Sequence, residues 1–403
     1  MRVALVCGRY LPSRDGVADY VRRLRQALAD DGVEVLVAAA RGSEGADAEV
    51  CPDWSLRSAV AAARGITALA PDLVHVQFAP SAYSYRPGVG LLPALLRAPV
   101  VTTLHEYAWW AWPSRRIPDL SWRPLERAGW WDRETLLLGP HSRALLATNS
   151  SHARVVSARL RREPRLVPIG PNVPDVGLSP AAAHARVAEL WGVPPEAALL
   201  AFFGFVHPVK GVRYLLEALA RLRDERREDL RLVVAGGFES LALPGQEALD
   251  FRAELERHAA ERGVRDAVVF AGHVPDADVS ALLRACDALV LPLTAGVTPK
   301  SGALLAGLDH ACCVVATLPP SDGSGPLRDG VQVVAIERVR DSDAVAAALR
   351  QVLNDPELRD RVRAGGRAFA ADYRWPAIAK AHREVYEQVL AGQVPARTGS
   401  LAR

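Results

Sequence analysis

The sequence predicts an α/β protein of two doubly wound, Rossmann-like domains that face each other across a cleft. Three observations carry that expectation. At 403 residues the chain is too long for one hydrophobic core and long enough for two. Short, continuous apolar runs alternate with stretches of helical period, the pattern of parallel strands covered on both faces. The alternation breaks once, over 174–195, where four prolines and a closing Gly-Val-Pro-Pro turn predict a hinge with one short helix.

In the first half, strands are expected at 2–8 (RVALVCG), 34–40 (EVLVAAA), 72–78 (DLVHVQF), 99–104 (PVVTTL), 144–148 (ALLAT) and 165–169 (RLVPI). The helical period between them is clearest at 17–30, where Val17, Tyr20, Val21, Leu24, Ala27 and Leu28 share a face. After the hinge, strands are expected at 198–205, 230–235, 267–272, 288–293, 312–317 and 331–336. Helices are expected at 212–226, 246–262, 277–285, 301–309, 341–353, 356–371 and 376–390. The domains are then 1–175 and 176–374, followed by the helix ending at 390 and a tail, 391–403, expected to be disordered.

Half of the residues are hydrophobic and 24% charged, as in soluble globular proteins. A net charge of +3 without a basic block argues against nucleic acid as a partner. No apolar run approaches the roughly 20 residues of a membrane span. The opening MRVALVCG is too short for a secretory leader and reads as a buried strand, so a cytoplasmic protein is expected. Cys7, Cys51, Cys286, Cys312 and Cys313 lack ligand-type spacing and read as small core residues, with no metal site. Nothing in the sequence bears on oligomeric state.

Open α/β sheets bind ligands beyond the carboxyl ends of their strands, so the strand-to-helix loops hold the candidates. The first is RYLPSRDGVADY (9–20), where Gly16 opens a helix whose free N–H groups suit phosphate or a polar substrate. Taken alone, it reads more simply as Asp15 capping that helix. Asp19, one turn on, is either an acceptor contact or ordinary helix-surface polarity.

Lysine is the second signal. Of 49 basic residues only Lys210, Lys300 and Lys380 are lysine, and the first two stand at junctions of the second domain. FGFVHPVKGVRY (203–214) carries His207 and Lys210 ahead of a helix, and GVTPKSGALLAG (296–307) carries Lys300, with Thr298 or Ser301 as the cap. Lysine is a compact, flexible point charge, suited to a phosphate whose geometry changes. Two lysines and a helix start predict a bound diphosphate. TLHEYAWWAW (103–112) adds His105 and Glu106 at a strand end, with Tyr107 and Trp109 beside them, and Glu106, Tyr107 and Trp109, like Asp15 and Asp19, are expected to contact the acceptor. The tryptophans concentrated between residues 109 and 131 read either as a packed helical insert or as an aromatic wall for an acceptor. There is no GxGxxG after the first strand, no phosphate-binding GxxxxGK[ST], no HExxH and no nucleophile elbow.

Taken in order, RDGVADY, DLVHVQF, TLHEY, VPIGPN, GFVHPVKG, LRLVVAGG, VVFAGHVPDADVSALLRACDALVLPL and SGALLAGLDHACCVVAT resemble the retaining GT-B glycosyltransferases of family 4, over roughly residues 1–390. The resemblance implies a nucleotide-diphosphate sugar, with UDP or GDP, held mainly by the second domain, a small-molecule or saccharide acceptor held mainly by the first, and neither metal nor cofactor. It places Gly16 near the donor phosphate, His105 near the transferred sugar and Lys210 on the diphosphate. The backbone of Gly272, His273 and Val274 would face the base, and that of Lys300, Ser301 and Gly302 would cradle diphosphate and sugar. The helix from about Trp375 would cross back to the first domain.

Two departures stand out. The family's paired glutamates fall at Thr298 and Ala306, so the ribose contact is missing, and Phe205 stands where an Arg often follows the strand-end glycine, with His207 as a partial replacement. The chain resembles a bacterial subgroup with GF-x-x-P-x-K-G and a basic-Ser-Gly third loop. The alternatives are an inactive relative that binds ligand without turnover and a phosphorylase of the same fold.

Overall fold

The computed structural model describes residues 1–12, 16–110, 119–225, 229–239, 243, 245–319 and 327–393. Its internal contacts divide the chain into two units, Gly170–Arg374 and the remainder, which comprises Met1–Ile169 and the segment from Trp375.

Unit 1 contains seven parallel strands: β1 (Arg2–Val6), β2 (Glu34–Ala40), β3 (Ala48–Cys51), β4 (Leu73–Phe78), β5 (Val100–Leu104), β6 (Ala144–Ala147) and β7 (Arg165–Leu166). They lie in the order β3-β2-β1-β4-β5-β6-β7, so the sheet reverses direction between β1 and β4. Helices α1 (Gly16–Asp30), α2 (Ala59–Ala68), α3 (Leu92–Leu95), α4 (Asp119–Arg127), α5 (Leu138–His141) and α6 (Ser150–Leu160) lie between them. Unit 2 has strands β8 (Leu199–Phe203), β9 (Arg231–Ala235), β10 (Val268–Gly272), β11 (Ala288–Leu291), β12 (Val314–Thr317) and β13 (Val334–Ile336), parallel in the order β10-β9-β8-β11-β12-β13. Its helices are α7 (Pro180–Trp191), α8 (Val212–Asp224), α9 (Gly245–Glu261), α10 (Asp276–Ala285), α11 (Gly302–Asp309), α12 (Ser342–Asn354) and α13 (Pro356–Ala370). The chain then returns to unit 1 as α14 (Trp375–Leu390).

Burial explains why these runs are strands. β4 is buried at every position, and Val290, Leu291, Val314 and Val315 of the second sheet are at most 1% exposed. α1 buries the face carrying Tyr20, Val21, Leu24 and Leu28 and packs against α14.

Several expectations are corrected. The stretch 174–195 is no hinge: α7 is three turns long, capped by Ser179 with Pro180 at its first position, and packs closely on α10 inside unit 2. The units divide at Ile169/Gly170 rather than after 175, because Val173 joins the second core and Asp175 pairs with Arg284. The run 165–169 gives only the two-residue β7, and 331–336 forms a strand only from Val334, with Val333 in an isolated bridge to Asp329. β3 was not anticipated: a four-residue edge strand, half buried and paired on one side, leaves little periodic signal. Residues 394–403 of the tail lie outside the described residues.

Candidate functional site

At the carboxyl edge of the second sheet, the loops after β8, β9, β10, β11 and β12 are fastened to one another by backbone contacts. Gly211 follows Lys210 with φ +72°, and a Cβ there would come within 2.0 Å of the Pro292 carbonyl oxygen. Only glycine accepts both the left-handed backbone and that approach. Thr294 N–H and its hydroxyl both donate to the Val209 carbonyl (3.0 and 3.3 Å). The Lys210 loop is thereby locked onto the loop that carries Lys300. Gly236, at φ +155°, would place a Cβ 1.9 Å from the Gly204 carbonyl oxygen, and its N–H donates to Gly272 O at 2.7 Å.

The third loop turns tightly into α11. Val297 N–H donates to Thr317 O (2.7 Å), Ser301 N–H to Thr298 O (2.9 Å), and Ser301 Oγ accepts from Leu304 N–H (3.3 Å) as the helix cap. A side chain on Gly302 would press on Asn172, 3.0 Å away, from the VPIGPN segment. With Leu304 N–H taken by the cap, the amides of Gly302 and Ala303 remain at the helix start, where anions are stabilised. Lys210 is half-buried, and burial pushes its ammonium pKa below the usual lysine range. Lys300 is exposed at the mouth of the same loop. His207 Nδ1 accepts from Val209 N–H at 3.4 Å, Phe205 packs beside Gly237, and His273 is exposed with half-buried Val274 next to it.

In unit 1, Gly16 opens α1 with open space where a Cβ would stand, so none of the described residues requires a glycine there. Asp19 lies 4.0 Å from Arg22, and Asp15 is outside the described residues. His105 follows β5. Its ring meets Tyr20 edge-on (centroids 4.7 Å apart), and its Nε2 lies 2.9 Å from Gln77 Oε1, which makes Nε2 the protonated nitrogen of the neutral ring. Gln77 Nε2 lies 3.0 Å from His75 Nε2, and His75 also meets Thr103 Oγ1 and Tyr386 Oη, both at 2.7 Å. A buried polar chain thus runs from α14 through β4 to His105. The sequence signal for His75 and Gln77 is two polar residues at alternate positions of the otherwise apolar strand LVHVQF; Tyr386 carries no such local signal.

Tyr107 is a correction. It is 2% exposed, its hydroxyl donates to Asp132 Oδ1 (3.0 Å), and the Arg159 guanidinium lies over its ring (4.6 Å). It anchors the loop and cannot touch an acceptor. Glu106, half-buried, accepts from Ser81 Oγ at 3.5 Å, and Trp109 is exposed beside Tyr85. The tryptophans divide: Trp122 is buried and stacks on Trp131, Trp109 and Trp130 are exposed, and Trp112 lies outside the described residues.

The packing of α14 has a titration consequence. His382 is fully buried, donates Nδ1–H to Ile378 O (2.8 Å) and has Tyr20 Oη 3.4 Å from Nε2. Burial holds its pKa down at about 4, with Arg165 adding repulsion, and burial also holds His75 well below 6.5. A depressed folded-state pKa means stability that is present above the unfolded value near 6.5 and is lost as pH falls to about 4. His382 alone should remove about 3 kcal/mol across that window, at 1.36 kcal/mol per unit. Urea melts at successive pH values should show the loss, and His382→Gln should flatten it; an unchanged slope in the variant would contradict the assignment.

Comparison with known families matches residues 14–175 to Glycosyltransferase Family 4 and residues 189–369 to Glycosyl transferases group 1. A D-inositol 3-phosphate glycosyltransferase from Stackebrandtia nassauensis is 30% identical over 58% of this chain and 51% of its own. A 2-deoxystreptamine glucosyltransferase from Streptomyces kanamyceticus is 29% identical over 59% and 58%. The chain thus spans about half the length of the curated relatives it matches. Among solved structures, a glycosyltransferase from Rickettsia africae aligns with a TM-score of 0.72 at 14% identity over 96% of this chain and 98% of its own. HepE from Anabaena, in complex with UDP, aligns with 0.66 at 15% identity over 96% and 100%. Among the described residues no helix is long and apolar enough to cross a membrane.

Proposed function

We propose, from the premise that this chain belongs to the GT-B glycosyltransferases and is family 4-like, that it moves a sugar from a nucleotide-diphosphate sugar to a small-molecule or saccharide acceptor. The anomeric configuration is retained and no metal takes part. The observation that carries this reading is the lock between Gly211 and Pro292, which holds half-buried Lys210 on the same rim as the start of α11. As the bond from the sugar to the diphosphate breaks, negative charge builds on the leaving oxygen. Fixed donors aimed at that charge stabilise the transition state without reorganising. Lys210 supplies a cation that burial has partly stripped of water, so a neighbouring diphosphate restores what desolvation took away. The N–H of Gly302 at the start of α11 supplies a donor, while those of Lys300 and Ser301 already donate to Thr298 and hold the turn that presents it. The acceptor oxygen then bonds to the sugar carbon, and its proton passes to the departing phosphate oxygen.

His105, held as the Nε2–H tautomer by Gln77, is the group in unit 1 suited to orient the sugar, and Gly16 leaves room for close approach. Thr298 and Ala306 leave no carboxylate for the ribose, and Ala306 is wholly buried in α11. That feature favours the second reading, a relative that binds ligand without turnover. Incubation with a panel of UDP-, GDP- and dTDP-sugars separates the two. Nucleotide release from at least one donor is expected, while binding of nucleoside diphosphate with no release from any would support the second reading. Relatives named for D-inositol 3-phosphate and 2-deoxystreptamine support a small acceptor.

A further inference from the structure

Unit 1 contains a cleft that none of the site residues above line. It has a cavity volume of about 150 Å³ and lies at the carboxyl ends of β1, β2 and β3, beside the loop after β4. The sheet reverses between β1 and β4, and doubly wound sheets bind ligands at such a reversal. Its floor is fixed. Trp54 Nε1 donates to Gly8 O (2.7 Å), the Tyr83 hydroxyl donates to Val6 O (3.1 Å), and a Cβ on Gly8 would come within 1.8 Å of the Ala82 carbonyl oxygen.

Three arginines from three separate segments line the cleft: Arg9 after β1, Arg41 after β2 and Arg86 after β4. All three are exposed, and among the described residues none of them makes an ion pair, whereas nearby Arg25 pairs with Asp47. Two neighbouring carboxylates are held mainly by other donors, although Asp53 also feels the attraction of Arg86. Asp53 accepts from Ser55 N–H (3.0 Å) and the Ser58 hydroxyl (2.7 Å), and Glu49 accepts from the N–H groups of Gly42 and Ser43 (2.8 and 2.9 Å). The lining therefore carries three cations against the one anion of Asp53.

The loop that presents Arg86 is held in an unusual shape. Ser84 and Tyr85 are consecutive left-handed residues (φ +50° and +55°), neither of them glycine. The turn is fixed by Ser84 N–H to Ser81 O, Tyr85 N–H to Pro80 O and Arg86 N–H to Tyr83 O, at 2.9 to 3.0 Å. Strain of this kind persists where the surroundings over-determine it.

We propose that this cleft binds a phosphomonoester, and that the acceptor of the transfer reaction is a phosphorylated small molecule held here by Arg9, Arg41 and Arg86. Guanidinium forks match phosphate oxygens in pairs. Three forks carried on three separate segments suit the three terminal oxygens of a tetrahedral dianion better than the two of a planar carboxylate. Naming the ligand as acceptor rests on the transferase reading above; binding of the ester does not.

Calorimetry on the full chain tests it, with glycerol 3-phosphate, glycerol, acetate, inorganic phosphate and UDP as separate probes. Glycerol 3-phosphate should bind, glycerol should not, and acetate should bind at least tenfold more weakly. Arg41→Gln and Arg86→Gln should each weaken the ester at least tenfold while UDP affinity stays unchanged, and Arg86→Lys should recover part of the loss. Ester binding that UDP displaces would assign the arginines to the donor and overturn the proposal. So would ester binding indifferent to both glutamine variants, or inorganic phosphate binding with no binding of the ester. If UDP binds and the ester does not, this inference fails and the transferase reading stands. If the ester binds in the predicted manner and no nucleotide does, the cleft stands and the transferase reading fails.

Discussion

Lys210→Ala lowers turnover about 10²-fold or more, as expected for removal of one preorganised charge from a developing anion. The residue ends a short turn whose geometry is fixed on both sides: the loop beneath is tied to Thr294, and Gly211 admits no side chain against Pro292. Substitution therefore removes a charge without releasing the loop. The diphosphate is already anionic when bound, so KM rises, but the further charge that develops as the bond breaks makes the larger part of the loss fall on kcat. Steady-state rates with the donor found in the panel test this. An unchanged kcat in a folded variant would remove Lys210 from the chemistry, and a purely KM effect would make it a binding group only.

Arg159→Met costs about 3–5 kcal/mol of stability, the usual consequence of leaving buried charges without their partner. Its guanidinium bonds Glu134 (2.5 Å), Asp132 (2.7 Å) and Glu126 (3.0 Å), carboxylates that are at most 3% exposed, and it also covers the Tyr107 ring. Burial pushes Asp132 and Glu134 above the usual carboxylate range despite Arg159; at Glu126 the charges of Arg159 and Arg133 outweigh burial, and its pKa falls. Removing Arg159 forces three carboxylates to take up protons or to drag the loop open. Glu134 also accepts from Ala108 N–H, so the loop that follows His105 loosens with it. Thermal unfolding should shift down by roughly 10 °C, at 2–4 °C per kcal/mol for a unit of this size. Arg159→Lys, which keeps the charge but loses the fork, should fall between. A melting temperature within a degree of the parent for Arg159→Met would show that the cluster is not held by this residue.

The two doubly wound units were legible because their strands are buried on both faces, and continuous burial leaves continuous apolar runs. β3 escaped because an edge strand of four residues carries neither a run nor a period. The rarity of lysine pointed to Lys210 and Lys300, and glycine pointed to Gly211, but nothing local in the sequence pairs Gly211 with Pro292, a contact across 81 positions that tertiary packing alone creates. Tyr107 was misjudged for a related reason. TLHEY places it beside His105, but its fate is set by Asp132 and Arg159, which arrive from later elements. Arginine abundance hid the cleft at Arg9, Arg41 and Arg86, since composition does not distinguish an unpaired guanidinium from a paired one.

The most direct measurement is a crystal structure of the chain grown with UDP and, separately, with GDP. The phosphates should lie within hydrogen-bonding distance of Lys210 Nζ and of the backbone amides that open α11, with Lys300 alongside. A diphosphate bound elsewhere, with the Lys210 and Lys300 ammonium groups in open solvent, would contradict the claim that this rim neutralises the leaving group.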